Sequence, residues 1–400
     1  MPMFRCALAI FGLVVGATKP PERAGVVASL PAEILLGGGI LLQARVNGSG
    51  PYTFALDSAG GSGFIVDARL ARSLGLALEG KALSSGAGGN RIPVSFAKNV
   101  ALDLSGVVLR PPTAAVIDLA SLEPLSGRAV AGIVGYGLFA RYVVKIDYAA
   151  RRVGLYPLDA YRYSGNGTSV PLSTNKEHFS VAARVRLPGR PPISGRFMVD
   201  TGAPMTTVAF SRPFVERFGL LPSGKGRIVD RSFAGLGGET IQVLGRLSEL
   251  DLGSLRIRNA TVAFSEDAKG TLASPEIDGI IGGELLRRFT VIFDPARSRL
   301  ILEPNVHFRE PYEHNMTGIA VRAEGRRGER TIHSVIEGSP AEEAGLKAGD
   351  ELEAIDGRPA AGFTLDALYE MFKKEGREYV FRVRRGPATV QARVRLRRLV

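Results

Sequence analysis

Apolar and polar residues alternate along much of the chain with a period of two residues. Residues 181–186 (Val-Ala-Ala-Arg-Val-Arg) and 393–397 (Arg-Val-Arg-Leu-Arg) show this alternation clearly, and each predicts a strand with one buried face. The 49 glycines are frequent enough to supply many tight turns. Short helices are predicted over residues 68–74, 136–141, 212–218 and 284–289. The pattern as a whole therefore predicts a mainly β protein.

The chain contains two copies of one unit. The segment Phe54–Gly60 matches Phe197–Ala203, and in both copies an aspartate, Asp57 or Asp200, ends an apolar run. A Gly-x-Gly-Gly segment and then a Gly-Ile-x-Gly segment follow each aspartate in the same order and at similar spacing. We therefore expect two similar β lobes, related by a pseudo-twofold axis that brings the two aspartate loops face to face.

A close pair of carboxylates can hydrolyse a peptide bond without a metal ion or a nucleophilic side chain. Like charges a few ångströms apart cannot both ionise cheaply, so the two groups share one proton. One carboxylate then acts as a base on water while the other donates a proton to the scissile carbonyl. Asp57 and Asp200 are the predicted pair, and the hydroxyl groups of Ser58 and Thr201 are expected to brace the opposite loop.

These motifs resemble those of the retropepsin-like aspartic peptidases. Residues 200–203 (Asp-Thr-Gly-Ala) are similar to the signature of that family, and residues 279–282 (Gly-Ile-Ile-Gly) to its later glycine element. The resemblance, over about residues 32–304, implies two pseudo-symmetric lobes, Asp57 and Asp200 as catalytic residues, and loop support from Ser58, Thr201 and Gly202. It also implies hairpin flaps that cover the substrate, with the candidates Gly86, Gly88, Gly89, Gly235, Gly237 and Gly238.

The first copy departs from the family signature at Ala59, where the second copy has Gly202. An added methyl group at a close backbone approach, or in a conformation that only glycine adopts readily, is expected to tilt the Asp57 loop. A second interpretation therefore stays open beside the enzyme, namely a catalytically impaired scaffold that acts as a peptide-binding adaptor. The presence of both Asp57 and Asp200 favours the enzyme, and Ala59 favours the adaptor.

A string of small-residue motifs marks a third domain near the C-terminus: residues 338–341 (Gly-Ser-Pro-Ala), 344–346 (Ala-Gly-Leu), 348–350 (Ala-Gly-Asp) and 355–357 (Ile-Asp-Gly). The string resembles a bacterial PDZ domain, an α+β fold, over about residues 317–400. The resemblance implies that an extended peptide adds as a strand while backbone amides hold its C-terminal carboxylate. Thr317, Gly318 and Ile319 are the peptide-binding candidates, and a predicted helix over residues 365–374 would form the other groove wall.

The N-terminus carries the pattern of a targeting signal. Arg5 precedes an apolar run over residues 6–17, which predicts a signal peptide over residues 1–17 and a periplasmic or secreted protein. A short anchor or a buried strand are the alternatives. The rest of the chain is expected to divide into a first lobe (28–157), a second lobe (158–304), a linker (305–316) and the PDZ domain (317–400).

The formal net charge of +12 is the remaining guide to partners. The arginines near the C-terminus alternate with apolar residues, which indicates the solvated face of a strand. A weak contact with anionic membrane surfaces stays open, whereas nucleic acid is not expected because no recognition motif accompanies the charge. The expected partners are a protein or peptide substrate and a ligand of the PDZ domain, for instance a C-terminal peptide.

Other polar residues give no second site. The four histidines are scattered without the spacing of a zinc site, so neither a metal ion nor a cofactor is expected. Asp147 and Asp294, which match each other in the repeat, are interpreted as structural turn residues. Asp278 has no counterpart in the first copy and is left unassigned.

Overall fold

The computed structural model of the chain describes residues 25–61, 63–175, 177–222, 227–231, 233–324 and 329–400. The predicted signal peptide over residues 1–17 lies outside the described residues. The protein is mainly β, with two tandem lobes followed by a C-terminal α+β domain, as the sequence predicts. No helix in these ranges is long and apolar enough to span a bilayer.

The first lobe has twelve strands among the described residues: β1 Ala28–Ile34, β2 Ile40–Val46, β3 Ser49–Leu56, β4 Phe64–Asp67, β5 Leu78–Ser84, β6 Ile92–Ala97, β7 Leu102–Leu104, β8 Val107–Leu109, β9 Ala114–Ile117, β10 Gly132–Val134, β11 Val143–Asp147 and β12 Arg152–Tyr156. Its helices are α1 Ala68–Ser73, α2 Glu123–Ser126 and α3 Tyr136–Phe139, with short 3₁₀ turns at Leu36–Gly38 and Ala120–Leu122.

The strands described in the second lobe are β13 Thr168–Asn175, β14 His178–Arg186, β15 Ile193–Val199, β16 Val208–Phe210, β17 Ile228–Asp230, β18 Ala234–Gly235, β19 Gly238–Glu239, β20 Gln242–Arg246, β21 Glu249–Leu252, β22 Leu255–Arg258, β23 Thr261–Ser265, β24 Gly279–Ile281, β25 Phe289–Asp294 and β26 Arg299–Pro304. Its helices are α4 Arg212–Phe218 and α5 Gly283–Leu286, with 3₁₀ turns at Thr271–Ala273 and Pro295–Arg297.

The C-terminal domain consists of β27 Ile319–Glu324, β28 Glu329–Val335, α6 Pro340–Glu343, β29 Glu351–Ile355, β30 Arg358–Pro359, a 3₁₀ turn at Ala360–Gly362, α7 Leu365–Met371, β31 Glu378–Arg385 and β32 Ala388–Arg395. Its strands form a separate sheet in the order β27-β28-β29-β31-β32. β27 pairs with β28 alone among the described strands, so its other edge has no strand partner there.

The sequence repeat is also a structural repeat. β10 pairs parallel with β3 and antiparallel with β4, and β24 pairs in the same way with β15 and β16. β11 and β25 pair antiparallel with each other and so join the two lobes in one sheet. Phe139 and Phe293 pack edge to face across this junction with ring centroids 4.9 Å apart, inside an apolar core that continues from one lobe into the other.

Two predicted helices after the glycine elements are shorter than expected. α3 ends at Phe139 and α5 at Leu286, whereas the predictions extended to residues 141 and 289. Phe289 begins β25 instead, because its fully buried ring fills the core and its backbone pairs with β26. The predicted helix 365–374 likewise ends at Met371, after a start that is capped by the hydroxyl group of Thr364.

The predicted linker, residues 305–316, has no helix or strand but packs closely on the second lobe. Arg288 is fully buried, and its guanidinium group donates to the carbonyl oxygens of Glu310 and Pro311. The same guanidinium group lies 3.7 Å from the ring centroid of Tyr312. This segment therefore completes the second lobe physically, while its exact domain boundary stays a prediction.

Candidate active site

Asp57 and Asp200 follow the ends of β3 and β15, where each strand gives way to a tight loop. The backbone N–H of Asp57 donates to the carbonyl oxygen of Val134, and that of Asp200 to Ile281, both at 2.9 Å. β10 and β24 thus support the two loops in the same way. The two carboxyl groups face each other within hydrogen-bonding reach, so the structure brings together the aspartates that the repeat pairs.

Buried hydroxyl groups tie the two loops to each other. The N–H of Ser58 donates to Oγ1 of Thr201 at 2.9 Å, and the N–H of Thr201 donates to Oγ of Ser58 at 3.1 Å. Each hydroxyl then donates onward to the opposite strand, Ser58 to Val199 O at 2.8 Å and Thr201 to Leu56 O at 3.0 Å. These four hydrogen bonds hold the aspartate loops at a fixed separation.

The surroundings of both aspartates favour the protonated form. Loss of solvation raises the pKa of Asp57 above its ordinary value, although the N–H of Ala59 opposes this. Loss of solvation also raises the pKa of Asp200 well above its ordinary value, and the neighbouring charge of Asp57 raises it further. A carboxyl pair of this kind can hold one proton between its members and so offers a base and an acid together.

The structure contradicts the expected tilt of the Asp57 loop at Ala59. The N–H of Ala59 donates to Oδ1 of Asp57 at 2.8 Å, the same distance as from Gly202 to Oδ1 of Asp200. Neither Ala59 nor Gly202 has a positive φ, so neither position requires glycine for its backbone conformation. Gly202 is required by space instead, because an added Cβ would lie 2.3 Å from Cγ of Asp57.

A buried apolar cluster lies next to each aspartate loop. In the second lobe, Met198 and Ile280 belong to a buried apolar cluster against which Ala59 and Ala203 pack. In the first lobe, Ile133 belongs to a matching cluster, next to the Asp57 loop. Apolar packing therefore surrounds both aspartate loops, in keeping with the loss of solvation that raises the pKa of each carboxyl group.

The two predicted flap segments meet at their tips. The N–H of Gly88 donates to Leu236 O at 3.0 Å, and the N–H of Asn90 donates to Gly237 O at 2.9 Å. Leu236 also packs against the apolar cluster of the first lobe. Of the six flap candidates, Gly86, Gly88, Gly235, Gly237 and Gly238 have the opposite segment within contact distance of an added Cβ, while Gly89 faces Lys269.

The amides predicted to hold a ligand carboxylate are engaged within the PDZ domain. The N–H groups of Thr317 and Gly318 donate to Oδ1 of Asn315 at 2.9 and 3.3 Å. The N–H of Ile319 donates to Oγ1 of Thr317 at 3.1 Å. Asn315 was assigned to the linker from the sequence, so its part in this loop was missed. A carboxylate would have to displace the Asn315 side chain before these amides could bind it.

The other aspartates have structural partners. Asp147 accepts a hydrogen bond from Ala150 N at 2.9 Å, within the turn that precedes the last strand of the first lobe. Asp294 is fully buried and forms ion pairs with Arg297 and Arg299. Asp278, left unassigned above, accepts a hydrogen bond from Arg196 N at 2.8 Å. In the described ranges, no cluster of His, Cys, Asp and Glu side chains has the makings of a metal site.

Most of the basic side chains near the C-terminus have acidic partners within the chain. Arg382 and Arg384 pair with glutamates of β29, and Arg397 pairs with Glu343 of α6 at 2.7 Å. Arg398 pairs with Glu313 of the predicted linker at 2.7 Å. Ion pairs within the chain therefore neutralise part of the positive charge of this C-terminal region.

Comparisons with known proteins agree with this geometry. A sequence profile described as aspartyl protease matches residues 42–138 and 183–285, which together make up half of the chain. A profile described as PDZ domain matches residues 331–385. The carboxy-terminal processing protease CtpA of Bacillus subtilis is 24% identical over 131 residues, which cover 33% of this chain and 28% of that protein. The similarity thus spans well under two thirds of the relative's length.

Proposed function

The chain belongs to the aspartyl protease family, and we propose that it is an aspartic endopeptidase that hydrolyses peptide bonds of exported or envelope proteins. The observation that carries this proposal is the facing carboxyl pair of Asp57 and Asp200, held by the reciprocal hydrogen bonds of Ser58 and Thr201. The assignment to exported substrates rests on the predicted signal peptide, and the PDZ domain would recruit the substrate as an extended segment.

In the proposed reaction the two carboxyl groups share one proton, because the surroundings of both raise the pKa, and Asp200 is taken as the protonated member. Asp57 accepts a proton from water, the water oxygen bonds to the scissile carbonyl carbon, and Asp200 donates its proton to the carbonyl oxygen. The tetrahedral intermediate then breaks its C–N bond. The leaving nitrogen takes the proton from Asp57, and one hydroxyl proton of the intermediate returns to Asp200. No cofactor takes part in these steps.

The test is hydrolysis of a fluorogenic peptide library by the wild type and by Asp57→Asn and Asp200→Asn. Each variant should lose at least about a hundredfold in turnover, because general acid–base catalysis contributes about 10²–10⁴. Asp147→Asn is the control, since it makes the same change at an aspartate in the turn before β12 and should keep full activity. Wild-type activity retained in either dyad variant contradicts the proposal. Peptide binding without any turnover by the wild type supports the adaptor instead.

A further inference from the structure

The groove of the PDZ domain already has an occupant from the same chain. Gly127, directly after α2 of the first lobe, lies between β27 and α7, the two walls of the groove. A Cβ added at Gly127 would lie 3.6 Å from Cδ1 of Leu365 on α7 and 3.9 Å from Cβ of Ala323 on β27. The end of α2 therefore lies where an extended peptide would add to the open edge of β27.

Two strands of the PDZ domain, β27 and β28, contact the second flap. Glu239 follows Gly238 at the flap tip, and its Oε1 atom lies 3.1 Å from Nη2 of Arg322 on β27. It also lies 2.8 Å from Nε2 of His333 on β28. Arg322 and His333 are mostly buried, so the flap is linked to side chains that the docked PDZ domain holds in place.

A third contact joins the groove helix to the support of the Asp200 loop. Nζ of Lys373, which follows α7, lies 3.6 Å from Oε2 of Glu284 on α5, and Glu284 is only 3% exposed. The first copy of the repeat has Gly137 where the second has Glu284, and Asn90 where the second has Glu239. The acidic groups that meet the PDZ domain thus occur in one copy alone, which is what a dedicated docking surface requires.

We propose that the PDZ domain is a latch on the second flap, and that an extended peptide segment in its groove releases the latch. While the end of α2 fills the groove, the contacts of Glu239 keep the flap closed over the aspartate pair. A segment that pairs with β27 displaces α2 and frees the PDZ domain from both lobes. An internal segment of an unfolded substrate fits better than a chain terminus, because Asn315 already engages the amides that a carboxylate would need. The expected effect on peptide hydrolysis rests on the proposed function, whereas the restraint of the flap by the PDZ domain does not require catalysis.

A disulfide between residues 127 and 323 tests the latch in the full chain. The distance of 3.9 Å between the two Cβ positions lies within the range of about 3.5–4.5 Å that a disulfide needs. Gly127→Cys and Ala323→Cys would be introduced together with Cys6→Ser, so that no other thiol is present. Gly127 has a φ of 64°, so the single Gly127→Cys variant carries the same backbone strain and serves as control. Hydrogen exchange over residues 234–239 should be at least about tenfold slower in the oxidised double variant than after reduction, and insensitive to reductant in the control.

Glu239→Gln tests the contact by weakening it, and it should speed hydrogen exchange over residues 234–239. Its matched control is Glu79→Gln on the first flap hairpin, where Glu79 pairs with Lys98 and is 56% exposed against 50% for Glu239. Peptide turnover would be measured in parallel and should fall in the oxidised form and rise severalfold in Glu239→Gln. Equal flap exchange in the oxidised and reduced forms overturns the latch. A flap that responds while no form cleaves any peptide supports the latch and contradicts the peptidase.

Discussion

At the scale of single residues, Asp200 connects the proposed chemistry to the stability of the fold. Desolvation and the charge of Asp57 raise its pKa well above the value of about 3.8 that it has when unfolded. A carboxyl group with a raised pKa in the folded state contributes stability that is fully present below pH 3.8. That contribution is lost as the pH rises through the raised value, because the folded protein must then ionise a group that its surroundings keep neutral.

Asp200→Asn should therefore remove a destabilising contribution at neutral pH. The amide resembles the neutral carboxyl group, so the variant should melt at the same temperature as the wild type near pH 3.5 and at a higher temperature near pH 7. The gain is expected near pH 7 and not near pH 3.5, because ionising Asp200 is costly only in the folded protein, where its pKa is raised. Thermal unfolding followed by circular dichroism across this pH range measures it. Asp147→Asn is the control, and a gain of equal size at both pH values would contradict the explanation.

The residues of the carboxyl pair could be predicted because they obey the repeat, and the residues around the PDZ domain could not because they break it. Matching the two copies identifies Asp57 with Asp200 and Ser58 with Thr201. The same comparison treats Glu239 and Glu284 as ordinary surface variation, since their importance depends on contacts with a third domain that has no counterpart in the repeat. Ala59 shows the opposite error, because its sequence position suggested a strain that its φ and its hydrogen bond do not show.

At the scale of elements, the flaps of the two lobes meet at glycines, where the backbones come closer than any side chain would allow. Gly88 lies so close to the second flap that an added Cβ would be 2.4 Å from the carbonyl carbon of Gly237. Gly89 has room for a side chain, because an added Cβ there would meet nothing nearer than Cβ of Lys269 at 3.4 Å. Neither glycine has a positive φ, so alanine at either position introduces no backbone strain.

Gly88→Ala should therefore separate the flap tips, and Gly89→Ala should not. A flap that is free to open must still close over the substrate to position it, so flap tips that cannot meet again, displaced by about 1 Å, should cost about a hundredfold in kcat/KM. Gly89→Ala is the matched control, with the same change of residue one position further along, and should stay within about threefold of the wild type. Initial rates with one fluorogenic peptide give both values. Equal losses in the two variants would show that the contact between the tips is not what matters.

The strands were easier to predict than the helix ends. Alternation of apolar residues identifies a strand such as β14 directly, because each apolar position points to the same buried face. The end of α5 depends instead on Phe289, an apolar residue that suits a helix as well as a strand. Only the packing of its ring in the core and the pairing with β26 decide between the two.

At the scale of the whole molecule, the segment after β26 belongs to the second lobe by its contacts. Arg288 is fully buried, and besides its ion pair with Glu284 its guanidinium group donates to carbonyl oxygens of this segment. Nε2 of His314 also lies 3.3 Å from Oδ2 of Asp230, a buried residue at the end of β17. Sequence composition indicates only a polar linker here, because the acceptors that Arg288 uses are backbone carbonyls, which every sequence provides.

Two truncated chains test this division of the molecule. A chain that ends at Pro304 keeps the ion pair between Arg288 and Glu284 but removes the carbonyl acceptors of Glu310 and Pro311, and a hydrogen bond to a charged group is typically worth about 1.5–3 kcal/mol. A chain that ends at His314 keeps those carbonyl groups and the ring of Tyr312, so it should fold and melt several degrees higher than the shorter chain.

Because it lacks the PDZ strands that hold Glu239, the longer truncated chain should also cleave a short fluorogenic peptide at least as fast as the full chain. Its cleavage of an unfolded protein should be slower, since the proposed recruitment by the PDZ groove is lost. Equal melting temperatures for the two truncated chains would show that residues 305–314 contribute nothing to the second lobe.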